Sequence, residues 1–229
     1  MILALPSGNG ESSASSSAIR KLIRNYKMLG DSKVELDEIK KLVPESCFDI
    51  LKQKVDAGQI VCGLSEFEKI IIYNLRKMKI TEIAELADVS EGLEFSLKKA
   101  TNSCNSLNLL IDAVKSKRYT YTRIQRILLY CLLGITKKDI AISKKVAPYV
   151  RVLGFNENGK VLLSKIANKK PKLKIITSVK DFINDCTDPH LAHVLEDDIF
   201  ATNVYTIAYR NGSLANLDFT EKLITEKDF

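Results

Sequence analysis

None of the five cysteines (Cys47, Cys62, Cys104, Cys131, Cys186) is paired as Cys-x-x-Cys, their number is odd, and they are widely scattered. That excludes a zinc knuckle or a disulfide framework and points to a reducing compartment, so a cytoplasmic protein is expected. The longest apolar run, Ile127 to Leu133, is far shorter than the roughly 20 residues of a membrane-spanning helix. The start, Met1-Ile-Leu-Ala-Leu-Pro, lacks the charge and apolar length of a signal peptide, and no membrane association is expected. The glycines never assemble into a Walker loop or a Gly-x-Gly-x-x-Gly fingerprint. Histidine is scarce too, and His190 and His193 lie too close together near the C-terminus to support a Ser-His-Asp arrangement. With Asp197 they fall at i, i+3 and i+7 on one helical face. One helix rarely supplies every ligand of a metal, so no metal is expected, and no catalytic residue is assigned.

Acid is missing where base is plentiful. From Lys115 to Lys138 there are seven Lys or Arg and no Asp or Glu. The formal net charge of +7 understates the asymmetry, because residues 181–229 carry a net −7 and residues 1–180 therefore +14. A polyanion would be steered to the first part and repelled by the last. Within Lys115-Ser-Lys-Arg-Tyr-Thr-Tyr-Thr-Arg-Ile-Gln-Arg126 the first half is basic and aromatic. Beyond it Ile124, Ile127, Leu128, Cys131 and Leu132 recur at helical spacing and fix a buried face. Arg123 and Arg126, three apart, point the same way. Lys115, Lys117 and Arg118 lie just ahead, with Tyr119 and Tyr121 able to stack on a base or pack on a guanidinium. A solvated helix face is the plain reading of such a charge run; the interleaved tyrosines make RNA contact its rival.

At 229 residues and 45% apolar the chain can build a substantial core. The Ser-rich residues 7–17 read as a flexible lead into a helix over residues 18–29, with Ser at its start and Gly30 past its end. Consecutive hydroxyls and open N–H groups ahead of Arg20 suit an anion; a linker whose last Ser is an N-cap is the other reading. Helical pattern continues over 35–57 with a break at Pro44, over 66–78 capped by Ser65, over 81–87, over 88–100, and over 107–114 capped by Ser106. After the basic helix the period changes. Residues 148–154 alternate like a strand, Asn158-Gly159 reads as a turn, 160–168 as helix and 173–177 as a second strand. An acidic helix follows over 190–210. The expected fold is mainly α: a helical bundle over 21–145, then over 146–229 a small βαβ unit with two parallel strands, a right-handed crossover and a C-terminal helix.

Ser15-Ser16-Ser17-Ala18-Ile19-Arg20 resembles the Ser-Ser-Thr-x-Ile-Arg second signature of the nucleotidyltransferase superfamily, whose adenylating members carry a His-x-Gly-His loop near their first strand. The resemblance implies that Ser15, Ser17 and Arg20 touch nucleotide phosphates, with Ser17 standing where Thr is usual, and that residues 1–20 are the tail end of a nucleotidyltransferase domain. Three further stretches, in order, resemble the C-terminal half of bacterial tRNA(Met) cytidine acetate ligases. They are Glu91-Gly-Leu-Glu94, the basic stretch Lys115 to Arg126, and Ala147-Pro-Tyr-Val-Arg-Val-Leu-Gly154 with Gly159 following. Such enzymes join acetate to ATP as acetyl-adenylate and pass the acetyl group to the wobble cytidine of elongator tRNA(Met). By that resemblance Lys115, Lys117, Arg118, Tyr119, Tyr121, Arg123 and Arg126 bind tRNA, and ATP is held mostly by a Rossmann-like domain that this sequence lacks. The chain is thus expected to be a C-terminal portion or a truncated relative, inactive alone. A non-catalytic RNA- or protein-binding helical module is the alternative.

Overall fold

The computed structural model describes residues 15–29, 33–90, 92–146, 149–169, 173–212 and 215–225. Most of the expected Ser-rich lead, together with Gly30, Glu91, Ala147 and Pro148, lies outside them. The chain forms two compact units, one of residues 1–66 with 206–213 and the other of 67–205 with 214–229.

The first unit holds α1 (Ser16–Leu29), α2 (Lys33–Leu42) and α3 (Glu45–Asp56). Ile19, Leu22, Ile23 and Tyr26 fall on one face of α1 because they are three or four residues apart. They meet Ile39, Val43, Phe48, Leu51, Val55 and Cys62 in one apolar cluster. Pro44 ends α2 as expected and stands as the N-cap of α3. Gly58 closes this unit: its carbonyl accepts from the Arg210 N–H at 2.9 Å. Its backbone is left-handed at φ 70°, and an added Cβ would come within 2.9 Å of Arg210 Cβ, so only glycine fits.

The second unit holds α4 (Glu68–Lys77), entered from a 3-10 turn (Leu64–Phe67), followed by α5 (Ile80–Glu85), α6 (Leu93–Ser103), α7 (Leu107–Val114), α8 (Tyr121–Leu133) and α9 (Lys137–Ser143). α8 is the centre of this bundle, packed on α4 and α7. Ile124, Ile127 and Leu128 are fully buried and Cys131 and Leu132 nearly so, the face that its spacing predicts. Burying each such aliphatic side chain stabilises the fold by about 1.5–3 kcal/mol. Burial also pushes the Cys131 thiol up to about 12, so it stays a neutral core group. Asn74 on α4 reaches across and donates to the Cys131 carbonyl at 3.3 Å. The free end of α4 is covered by Lys98, whose ammonium donates to the carbonyls of Leu75, Arg76 and Met78 at 3.1, 2.8 and 2.6 Å. A cation at a helix C-terminus satisfies both the open carbonyls and the helix dipole. Helix α6 starts later than residue 88, because Asp88 (φ 63°) and Gly92 (φ 83°) are both left-handed and turn the chain before Leu93.

The expected parallel pair is present: β1 (Tyr149–Arg151) runs beside β3 (Lys174–Ile176), with Val150 opposite Ile175. Between them lies α10 (Glu157–Asn168). Asn158-Gly159 is not a turn but the first turn of that helix, since the Asn156 side chain caps it by accepting from the Gly159 N–H at 2.9 Å. A second parallel pair, not expected, joins β2 (Gly154–Phe155) to β4 (Ile224–Thr225). Helices α11 (Val179–Asp185), α12 (Pro189–Ile207) and α13 (Leu217–Thr220) complete the chain. Ile176, Val179, Leu195 and Ile199, with Tyr149, Phe182 and Ile183, form the core that seats β3 on α12. No described helix is long and apolar enough to cross a membrane.

Candidate functional site

The start of α1 is built by Ser15. Its hydroxyl accepts from the Ala18 N–H at 3.1 Å and its carbonyl from the Ile19 N–H at 3.1 Å, which makes it the N-cap. Ser17 and Arg20 lie in the first turns, and all three side chains are exposed. The arrangement offers hydroxyls, a helix N-terminus and a guanidinium to an anion. It belongs to the first unit, whereas the basic stretch belongs to the second.

The approach to α8 is a fixed loop. Ser116 donates its N–H to the Tyr119 carbonyl at 3.1 Å, and its hydroxyl accepts from the Tyr119 N–H at 3.1 Å. Thr120 then caps α8 by accepting from the Arg123 N–H, and left-handed Gly134 closes its other end. Within this turn Lys117 and Arg118 are exposed, as is Lys115 beside them. Tyr121, the first residue of α8, is 40% exposed.

Tyr119 points the other way. Its hydroxyl donates to the Ser90 carbonyl at 3.4 Å, and the guanidiniums of Arg123 and Arg118 lie 5.3 and 5.9 Å from its ring centre. Arg123 donates to the Asp88 carbonyl at 2.9 Å and to the Ser90 hydroxyl at 2.8 Å. Arg126 pairs with the Asp88 carboxylate, and that hydrogen bond, with the nearby charge, raises the Arg126 pKa further. The two arginines do point the same way, but toward residues 88–90. Sequence spacing placed them on one face; it gave no sign that Asp88 and Ser90 stand opposite. The available signal was Gly92, a residue type at which a chain turns readily.

Two other clusters were not foreseen as such. Arg151 on β1 bridges Asp198 of α12, at 2.9 Å, and Asp218 of α13, while the Tyr149 hydroxyl donates to Asp198 at 3.3 Å. Burial first, and the Asp198 charge second, push Tyr149 up to about 12, so it stays a neutral donor. His193 lies 2.9 Å from Asp139 of α9 and 3.8 Å from Asp197. His190 has no place in this group; its backbone N–H donates to Asp188. Burial disfavours the Asp139 anion. Hydrogen bonds from the Thr136 hydroxyl and N–H and from His193 outweigh that and hold its carboxyl below the ordinary range. The hydrogen bond to Asp139 raises the His193 pKa against its own desolvation. One imidazole nitrogen and two carboxylates within 4.8 Å form a donor set for a divalent ion. The ion pair and the Thr136 capping box already employ Asp139 and His193.

A mainly helical chain with two small parallel sheets has the nucleotidyltransferase-like fold. The family model described as HIGH Nucleotidyl Transferase matches residues 7–218, and the chain belongs to that family. It is 40% identical over 213 residues to a tRNA(Met) cytidine acetate ligase of Thermoanaerobacter pseudethanolicus, covering 92% of this chain and 49% of that protein. Against the ligase of the same name from Acetivibrio thermocellus it is 36% identical over 220 residues, covering 94% and 52%. The chain thus spans about half the length of these curated relatives. It is also similar to crystal structures of Thermotoga maritima TmcAL. The apo form superposes with a TM-score of 0.82 at 25% identity, covering 96% of this chain and 52% of the other. The form bound with alpha-thio ATP gives 0.78 at 26%, covering 92% and 52%.

Proposed function

We propose that this chain is the tRNA-binding, C-terminal part of an ATP-dependent acetate:tRNA ligase that acetylates the wobble cytidine of elongator tRNA(Met). The relatives' shared name supports the reaction, and the alpha-thio ATP held by TmcAL supports ATP as the activating substrate. The observation that carries the tRNA role is the loop ahead of α8, where Lys115, Lys117, Arg118 and Tyr121 are exposed on a backbone fixed by Ser116. Cations on a rigid loop lose little freedom on meeting a phosphate chain, and an exposed phenol beside them offers a stacking surface. In this reading Tyr121 meets a base or ribose, and Tyr119 with Arg123 forms the support behind it.

Activation consumes acetate and ATP: a carboxylate oxygen attacks the α-phosphorus and pyrophosphate leaves. The cytidine amine then attacks the acetyl carbon, and AMP leaves. Ser15, Ser17 and Arg20, at the end of the nucleotidyltransferase domain, contribute phosphate contacts worth up to a few kcal/mol when charge-assisted. The pyrophosphate leaving group needs further donors from a His-x-Gly-His loop, so the chain alone is inactive. In this reading the complete enzyme works in the cytoplasm, where tRNA, acetate and ATP meet.

The test is one preparation with two assays. Titrated with tRNA, the chain should bind with a log–log salt slope of about −0.7 to −0.9 per phosphate contact. Given ATP and acetate, the same sample should release no pyrophosphate above the acetate-free control. Salt-insensitive or absent tRNA binding would overturn the tRNA role, and acetate-dependent release would overturn the inactivity.

A further inference from the structure

The stretch from Lys115 to Lys138 contains no acid, yet its arginines are not left to solvent counterions. Asp88, brought from the turn before α6, supplies the missing negative charge. Its carboxylate takes Arg126 and its carbonyl takes Arg123. The two contacts differ in kind. Arg123 also holds Ser90 and lies over Tyr119, so it is tied into the loop at several points. Arg126 and Asp88 meet at the surface, with side chains 51% and 37% exposed. Exposed pairs of this sort are weak and screened by salt. A guanidinium donates to carboxylate and phosphate oxygens through the same fork of N–H groups, so a phosphate can replace the carboxylate without moving the arginine.

Resting on the tRNA reading above, we propose that Asp88 is an internal stand-in for an RNA phosphate: tRNA binding transfers Arg126 from the Asp88 carboxylate to a backbone phosphate. Arg123 keeps the turn at residues 88–90 and Tyr119 in place during the exchange. The carboxylate therefore lowers the affinity of this face for any polyanion and leaves net binding to ligands that make enough other contacts. That is specificity by competition rather than by a new attractive contact. Asp88 acts on the interface through Arg126 and is a positioning and tuning residue, not a catalytic one.

The backbone of Asp88 makes the test clean. At φ 63° it is left-handed, a conformation that Asn tolerates and Gly adopts freely. Asp88→Asn and Asp88→Gly both remove the charge without forcing the turn. Elongator tRNA(Met) binding by fluorescence anisotropy across a salt series, with thermal unfolding on the same samples, reads the result. Both variants should bind about 1.5- to 5-fold tighter at low salt, the scale of one exposed pair released. Their log–log salt slope should match the parent's, because Arg126 reaches the same phosphate in all three proteins. In an Arg126→Gln background the Asp88 substitutions should change nothing. Variants that melt like the parent but bind equally or more weakly would overturn the proposal. So would loss of folding in both variants, since Asp88 would then be a structural brace. If neither parent nor variants bind tRNA, the tRNA reading fails first and takes this one with it; unaltered binding in the variants refutes this one alone.

Discussion

Arg123 and Arg126 are three residues apart on one helix face, yet the geometry gives them separable tasks. Arg123→Gln removes two hydrogen bonds from a charged donor, to the Asp88 carbonyl at 2.9 Å and the Ser90 hydroxyl at 2.8 Å. It also removes the cation lying 5.3 Å from the Tyr119 ring centre. Part exposure discounts each hydrogen bond to about 1 kcal/mol, and the ring contact adds about 0.5–1 kcal/mol. The sum, about 2–3 kcal/mol, corresponds to a fall in melting temperature of roughly 5–10 °C for a chain of this size. Arg126→Gln removes one exposed pair worth about 0.2–1 kcal/mol, so its melting temperature should move by no more than about 1–4 °C. Its tRNA salt slope should instead flatten by about 0.7 to 0.9. Differential scanning fluorimetry and anisotropy on the two single variants give both numbers. The reasoning is refuted if Arg126→Gln costs as much stability as Arg123→Gln while leaving tRNA affinity and slope unchanged.

Two other expectations concern the second unit. The folded-state pKa of His193 is raised by Asp139, so its stabilising contribution is full below the unfolded value of about 6.5 and is lost as pH rises through the higher folded value. Asp139 is lowered, so its own contribution is lost as pH falls through its folded value, leaving the pair strongest between the two. His193→Gln should therefore depress the melting temperature more at pH 5.5 than at pH 8.5; an equal fall at both would refute it. Gly154 brings its backbone so close to β4 that an added Cβ would lie 2.8 Å from the Ile224 carbonyl oxygen. Gly154→Ala should destabilise by about 1–3 kcal/mol, the scale of overpacking, read as a lower denaturation midpoint; an unaltered midpoint would refute the β2–β4 pairing.

The parts legible in the sequence were those that follow from period. The buried face of α8, the break at Pro44, the caps at Ser106 and the parallel pair β1–β3 each rest on local spacing or local turn chemistry. Most of the parts that escaped rest on partners distant in the chain; the exception is one local cap. Asn158-Gly159 looks like a turn until Asn156 is seen capping a helix through it. The short strands β2 and β4 are 69 or more residues apart and two residues each, too short to carry an alternating pattern. Lys98 reads as one more surface lysine, and only the fold turns it onto the end of α4. Arg123 and Arg126 were recognisable as a paired cationic face, but the Asp88 and Ser90 that meet them lie more than 30 residues earlier. Charge asymmetry therefore marked the cationic stretch, while the internal anion paired with one of its arginines stayed invisible.

The central claim is that this face serves tRNA and, within tRNA, the elongator tRNA(Met) of the ligase reaction. Equilibrium binding of the chain to elongator tRNA(Met) and to an unrelated tRNA of similar length, compared at matched salt, tests it most directly. The account requires tighter binding to elongator tRNA(Met), with a steep salt dependence for both RNAs from the shared backbone contacts. Equal affinity for the two RNAs at every salt concentration would contradict it and leave a general RNA-binding module in its place.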